Sequence, residues 1–329
     1  MQPDVLEALG RVFEAPDSHE TRLVVGDRLL ELGDPRGELV QLQHAGGPPT
    51  RRAAWLLRKH RRTLLGPLER VAFHDAGFRL GFAHDVILRS SELYRLDRDG
   101  IDTSPYWSTV RRLGLARSAR GWALAQDLPG LDEVRTLGND ALLDLLTGPT
   151  RAWTGLGLEG ATLRDPFGEA DAALLEALPE LPRVLPSLRR LTVDPSGLRE
   201  AQDLLPALDL RTLTVHTTWM DARLAALVPP GLERLVLSWP AWFGRSSWEL
   251  ELCGRTLVIR RHARLPDPPV ALLRLLRVTH RHFPFTRVVI EDHAGWTAPP
   301  GRIAQLRLHH DLRERMGVRE VSTPAWWTG

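Results

Sequence analysis

Cysteine and lysine are almost missing from this 329-residue chain: Cys253 is its one thiol and Lys59 its one lysine. A lone cysteine excludes an intrachain disulfide and any CxxC metal or redox motif, which fits a reducing compartment. Cys253 is followed by Gly254 and Arg255 with no acid beside it, so it reads as a buried structural thiol rather than a nucleophile. Long apolar runs are missing too. No stretch approaches the roughly 18 residues of a membrane span, and Met1-Gln2-Pro3-Asp4-Val5 has neither the basic nor the apolar region of a secretion signal. A cytoplasmic protein without membrane contact is expected. A formal net charge of +2 excludes a global field of the kind that draws in nucleic acid. Walker, GxGxxG and GxSxG motifs are absent. His280, His282 and His293, and the pair His309-His310, have no carboxylate at a diagnostic metal spacing, so no metal, cofactor or catalytic residue is expected.

What the chain does have is a repeat. The pattern L-x-x-L-x-L occurs at Leu188, Leu191 and Val193, at Leu210, Leu213 and Val215, and at Leu232, Leu235 and Leu237, with a step of 22 residues. That period belongs to the leucine-rich-repeat range, in which each copy contributes one strand and cannot bury its apolar face alone. Weaker copies extend both ways. Upstream are Val110, Leu113 and Leu115, then Leu131 and Val134, then Trp153, Leu156 and Leu158. Downstream are Leu250 and Leu252, Leu257 and Ile259, then Phe285, Val288 and Ile290, then Ile303, Leu306 and Leu308, and last Val318 and Val321. The longer steps from Leu156 to Leu191 and from Leu257 to Val288 predict inserted helices, over about 165–183 and 270–280. The Asn position of the full template holds Ala161, Ser196, Thr218 and Pro240. The expected fold is α/β: an irregular leucine-rich-repeat solenoid of about eight to ten parallel strands over residues 82–321, with short helices on the convex side and a tail at 322–329.

Residues 1–81 read as a small all-α domain. Helices are predicted over 4–14, from Asp17 or Ser18 to Gly33, from Asp34-Pro35 to Gln43, and from Thr50 to about Leu65. The string from Arg22 to Gln43, with its Gly33-Asp34-Pro35-Arg36-Gly37-Glu38 block, resembles the bacterial repeat-companion domain. So do Leu64-Leu65-Gly66-Pro67-Leu68 and the stretch Gly77-Phe78 to Gly81-Phe82. The match departs where the family has an aromatic and Ala-Asp-Trp and this chain has Val25, Gly26 and Arg28. The resemblance implies a small helical module joined to repeats, often leucine-rich ones, and supplies no catalytic residues.

Strand residues between the leucines face the concave side of such a solenoid, its usual binding face. They place Arg111 and Arg112, Arg189 and Arg190, Arg211, Arg234 and Arg287 in one ridge. Thr192 and Thr214 lie in the strip beside it, and His216 and Trp239 lie beyond the strand ends. Arginine and tryptophan dominate interface hot spots. The expectation is a non-enzymatic scaffold that binds an acidic protein or peptide through Arg112, Arg190, Arg211, Arg234, Arg287, Thr192, Thr214, His216 and Trp239. Two alternatives stand beside it. One is a substrate-recognition subunit of an enzyme complex. The other is nucleic-acid binding through the basic helix, with Arg51, Arg52, Arg58, Lys59, Arg61 and Arg62 on phosphates and Trp55 stacked on a base.

Overall fold

The computed structural model describes residues 3–46, 50–73, 76–115, 118–158, 171–194, 198–199, 203–216, 232–240, 246–261, 276–281, 283–292 and 308–322. The chain is mixed α/β with mostly parallel strands, and it divides into two compact units, 1–145 and 146–329.

The first unit opens with five helices: α1 (Pro3–Glu14), α2 (His19–Glu31), α3 (Pro35–His44), α4 (Arg51–Lys59) and α5 (Arg61–Leu65). Their boundaries are written locally. The Ser18 hydroxyl accepts from the Thr21 N–H at 3.1 Å to start α2, and the Asp34 carboxylate accepts from the Arg36 N–H at 2.9 Å to start α3, with Pro35 in the first turn. Gly33, at φ +73°, makes the reversal between them. The helix expected to run unbroken from Thr50 to Leu65 stops at His60. Arg61 restarts it, turning its guanidinium onto the Ala72 and Phe73 carbonyls at 3.1 and 2.6 Å.

The block that carries the family resemblance is a packing knot. Arg36 is fully buried, paired with Asp34 at 3.0 Å. It also donates to the carbonyls of Thr63 and Leu64 and to the Tyr106 hydroxyl. A Cβ at Gly37 would lie 2.3 Å from the Leu30 backbone nitrogen, so only glycine lets α3 approach α2 this closely.

The chain then forms a hairpin of β1 (Gly77–Arg79) and β2 (Phe82–Ile87), turning through Leu80 and Gly81, both at positive φ. This corrects the expected all-α character of residues 1–81. The boundary expected at 81–82 falls inside that turn, and the first unit continues to residue 145. Gln43 ties α3 to the hairpin by donating to the Phe78 carbonyl at 3.0 Å and accepting from the Gly81 N–H at 2.8 Å. Short α6 (Arg95–Arg98) precedes β3 (Arg112–Gly114), and α7 (Ala119–Asp127) leads to β4 (Glu133–Arg135). The strands β2, β3 and β4 pair in parallel. The next helix is α8 (Asn139–Thr147).

The second unit begins its strands at β5 (Gly155–Gly157). Helices α9 (Ala172–Ala177) and α10 (Leu181–Val184) then occupy the described part of the first long step. After them come β6 (Arg190–Val193), β7 (Thr212–His216), β8 (Arg234–Pro240), β9 (Ser246–Cys253), β10 (Thr256–Arg261), β11 (Arg287–Asp292) and β12 (Glu320–Ser322). Each pairs with its sequence neighbour, so strand order is chain order. The 22-residue step becomes register: Leu191, Leu213 and Leu235 are cross-strand partners, and so are Val193, Val215 and Leu237. All six are buried, each contributing about 1.5–3 kcal/mol by transfer from water.

Three expectations change here. Leu250 and Leu252 do not form another parallel copy, because β9 runs antiparallel to both β8 and β10. The two-residue turn Gly254-Arg255, with Gly254 at φ +56°, reverses the chain between β9 and β10. From residue 82 onward the described residues form eleven strands, β2 to β12, above the eight to ten expected. Leu308 and the pair His309-His310 belong to a helical segment that continues through Asp311–Arg315, and not to a strand. Ile303, Leu306, Ala161, Ser196 and Thr218, the helix expected over 270–275, and the tail from 323 lie outside the described residues.

Candidate functional site

On the outward face of the second unit, residues two apart along each strand form rows across it. The first row reads Arg190, Thr212, Arg234, Cys253, Thr256, Arg287, Glu320. The next reads Thr192, Thr214, Val236, Glu251, Val258, Val289, Ser322, and the third His216, Ser238, Glu249, Arg260, Glu291. The expected residues Arg190, Arg234, Arg287, Thr192, Thr214 and His216 therefore do share one face. Trp239 is paired with Trp248 in the backbone, while the side chains of both lie outside the described residues.

The ridge is not a single column. Arg189 and Arg211 precede their strands and form a second line with Glu233, the Arg211 N–H donating to the Arg189 carbonyl at 2.9 Å. In that line Arg189 meets Asp209 at 3.3 Å and Arg211 meets Glu233 at 3.5 Å. Nor is the ridge uniformly basic. Arg234 pairs with Glu251 at 2.5 Å and Arg287 with Glu320 at 3.6 Å. The centre of the face is Arg260, which contacts Glu249 at 2.7 Å, Glu291 at 2.8 Å, and Glu251. Burial works against the charges here, but the hydrogen bonds between them win: Arg260 titrates above its ordinary value and Glu251 below its own. Together the three rows carry Arg190, Arg234, Arg260 and Arg287 against Glu249, Glu251, Glu291 and Glu320, a balance of zero.

The sequence reading missed Arg260, Glu249 and Glu251. Reading β9 as one more parallel copy hid them, because only an antiparallel return places Glu249 and Glu251 opposite Arg260 and Val258. The alternation Glu249-Leu250-Glu251-Leu252-Cys253, then glycine and a second alternating run, was the available signal for a hairpin. The same turn explains Cys253, which is exposed rather than buried: its neighbour Leu252 takes the inward position.

In the first unit, Arg112 meets Glu133 at 3.5 Å on the strand face. Arg111 leaves the expected ridge altogether. It is buried, with Nε and Nη2 donating to Asp17 at 2.9 and 2.5 Å. The basic helix is divided in use. Arg52 grips Glu38 with two bonds at 2.5 and 2.7 Å and lies 4.3 Å above the Trp55 ring, and Lys59 lies 4.5 Å from the same ring. Trp55 is thus engaged by two cations of its own helix while packing, half-buried, against the Leu39, Ala53, Leu56 and Leu64 core. Arg61 serves the two carbonyls already named. Arg51, Arg58 and Arg62 are exposed.

Among the described residues, no group of three or more His, Cys, Asp or Glu is placed to hold a metal, and no helix is long and apolar enough to cross a membrane. His280 accepts from the Phe285 N–H at 3.4 Å and stacks edge-on to that ring, while His282 and His293 lie outside the described residues. No family model matches the chain, and no curated protein or solved structure matches it.

Proposed function

We propose that this chain is a non-enzymatic interaction protein, a repeat-companion-like helical module followed by a leucine-rich-repeat-like solenoid, which binds a protein partner in the cytoplasm on the outward face of strands β6 to β12. The observation that carries the reading is the in-register face itself. Polar side chains from seven consecutive strands lie on one surface, and two of its arginines remain half-exposed, with 47% of the Arg234 and 55% of the Arg287 side chain open to solvent. Strand neighbours sit about 4.8 Å apart, so such rows present charges at a fixed spacing to an extended or helical partner.

The charge balance alters the partner first expected. A uniformly acidic peptide would meet as many carboxylates as guanidiniums, so the partner that fits carries both signs, its acids toward Arg190, Arg211 and Arg287 and a base toward the Glu249, Glu251 and Glu291 cluster. Ion pairs of this kind give specificity and association rate more than affinity. Replacing Arg190, Arg211 and Arg234 together by Glu should abolish recovery of the partner by the purified full chain, with an unchanged circular-dichroism spectrum as the fold control. Retention of the same partner by the folded triple variant would remove the face from consideration. Recognition on behalf of an associated enzyme is the same physical reading with a different partner.

A further inference from the structure

A different basic cluster lies in the first unit. A cavity of about 50 Å³ opens between the start of α2, the β1–β2 turn and the approach to β3, lined by Asp17, His19, Arg22, Arg79, His84 and Arg111. We propose that this cavity binds one phosphate dianion, either inorganic phosphate or the phosphate group of a small monoester.

Among the described residues that line it, three guanidiniums face a single carboxylate, Asp17, an excess of two positive charges that matches a phosphate dianion. This contrasts with the outward face of the second unit, where the charges cancel. Among the described residues the Arg79 side chain has no carboxylate partner, and it is exposed at the cavity mouth.

Arg22 and Arg111 are 5% and 6% exposed, so they are fixed parts of the wall. Arg22 is held by the Pro16 carbonyl, at 3.0 Å from Nε and 2.5 Å from Nη2, and by the Arg79 carbonyl at 2.9 Å from Nη1. Arg111 is held by the Ser108 carbonyl at 2.8 Å and by Asp17. Guanidiniums anchored on backbone carbonyls are pre-organised, and little side-chain entropy remains to be lost when an anion arrives.

Two residues inside the cluster already feel its field. Arg22 has its pKa lowered to about 10 by burial and by Arg111 and Arg79, partly opposed by Asp17. His84 is pushed down to about 4 by burial and by Arg112, Arg79, Arg22 and Arg111. Burial is the larger cause of both shifts, and the neighbouring guanidiniums add a positive potential that a bound anion would relieve. Room is adequate: at roughly 10–15 Å³ for each water-sized sphere, the cavity takes the three to five oxygen-sized atoms of a tetrahedral oxyanion.

The test uses the full chain at low ionic strength, titrated by calorimetry with inorganic phosphate and, separately, with O-phosphoserine. Saturable binding of either at one site per chain is expected, the tighter of the two naming the source, together with a rise in the His84 pKa followed by NMR. Arg79→Ala, a change at an exposed side chain, should weaken binding about tenfold through loss of one charge-assisted contact. Asp17→Asn, which raises the excess to three, should tighten it. Absence of saturable binding by the folded chain would overturn the proposal. So would binding indifferent to Arg79→Ala, or weaker binding by Asp17→Asn.

Discussion

The two units use arginine in opposite ways. In the first, Arg22, Arg36 and Arg111 are buried and each donates to backbone carbonyls, of Pro16 and Arg79, of Thr63 and Leu64, and of Ser108, while Arg36 and Arg111 also pair with Asp34 and Asp17. In the second, Arg234, Arg260 and Arg287 stand on strand rows, and each meets a carboxylate of an adjacent strand. Guanidinium suits both roles, since it stays charged when buried and its five donors satisfy several acceptors at once. The lesson concerns charge balance. Arg22, buried and satisfied by carbonyls, keeps its field, and with Arg79 and Arg111 it makes the cavity beside His84 positive. An arginine satisfied by glutamate loses its field, and a row of them becomes a patterned but neutral surface.

The sharpest way to break this contrast is at Arg36. Arg36→Met keeps the bulk but strands the buried Asp34 carboxylate and the Thr63 and Leu64 carbonyls. Removing one partner of a buried pair costs about 3–5 kcal/mol, so a large fall in the urea midpoint is expected. A change smaller than about 1 kcal/mol would mean that the knot around 34–38 is not structural.

Arg260→Met should cost less, about 1–3 kcal/mol at neutral pH, by leaving Glu249, Glu251 and Glu291 facing one another. Its sign with pH is fixed by Glu251. That carboxyl titrates below its ordinary 4.5, so the stability it confers is present above 4.5 and is lost as pH falls through the lower folded value. Without Arg260 the depression shrinks, and the difference between variant and parent should narrow in acid. Denaturant curves at pH 7 and pH 3.5 read this directly, and a gap that widens in acid would contradict it.

The smallest effect is a slope. His84 has a folded pKa of about 4 against an ordinary 6.5, so the fold prefers it neutral. Stability tied to it is complete above pH 6.5 and declines as pH falls toward 4, where a buried imidazolium would add a further positive charge beside Arg112, Arg79, Arg22 and Arg111. Melting temperatures between pH 4 and 6.5 should fall in the parent and flatten in His84→Gln. Equal slopes would show that the cluster exerts no such field.

Legibility followed the range of each interaction. The caps at Ser18 and Asp34 and the stop at Gly33 depend on residues within three or four positions; the sequence placed the last two and left the first between Asp17 and Ser18. The second-unit rows were legible in part: the repeat put Arg190, Thr192, Thr214, Arg234 and Arg287 on one face, while His216, expected beyond its strand, is the last residue of β7. The reading failed where one backbone reversal outranked the period, since Gly254 turned β9 around and brought Glu249 and Glu251 to Arg260. It failed again at Arg111, which the repeat pattern assigned to the strand face and which instead binds Asp17, 94 positions away.

What the sequence determined by itself, then, is the set of short-range decisions: helix starts, strand spacing and the parallel register of the clear repeats, because caps and periodic apolar positions act through neighbours along the chain. What only the tertiary structure decided is the destination of the charges. Whether an arginine ends against a carbonyl, a glutamate or an open cavity depends on which distant segment packs beside it. Burial and the local dielectric then set how much of its field survives.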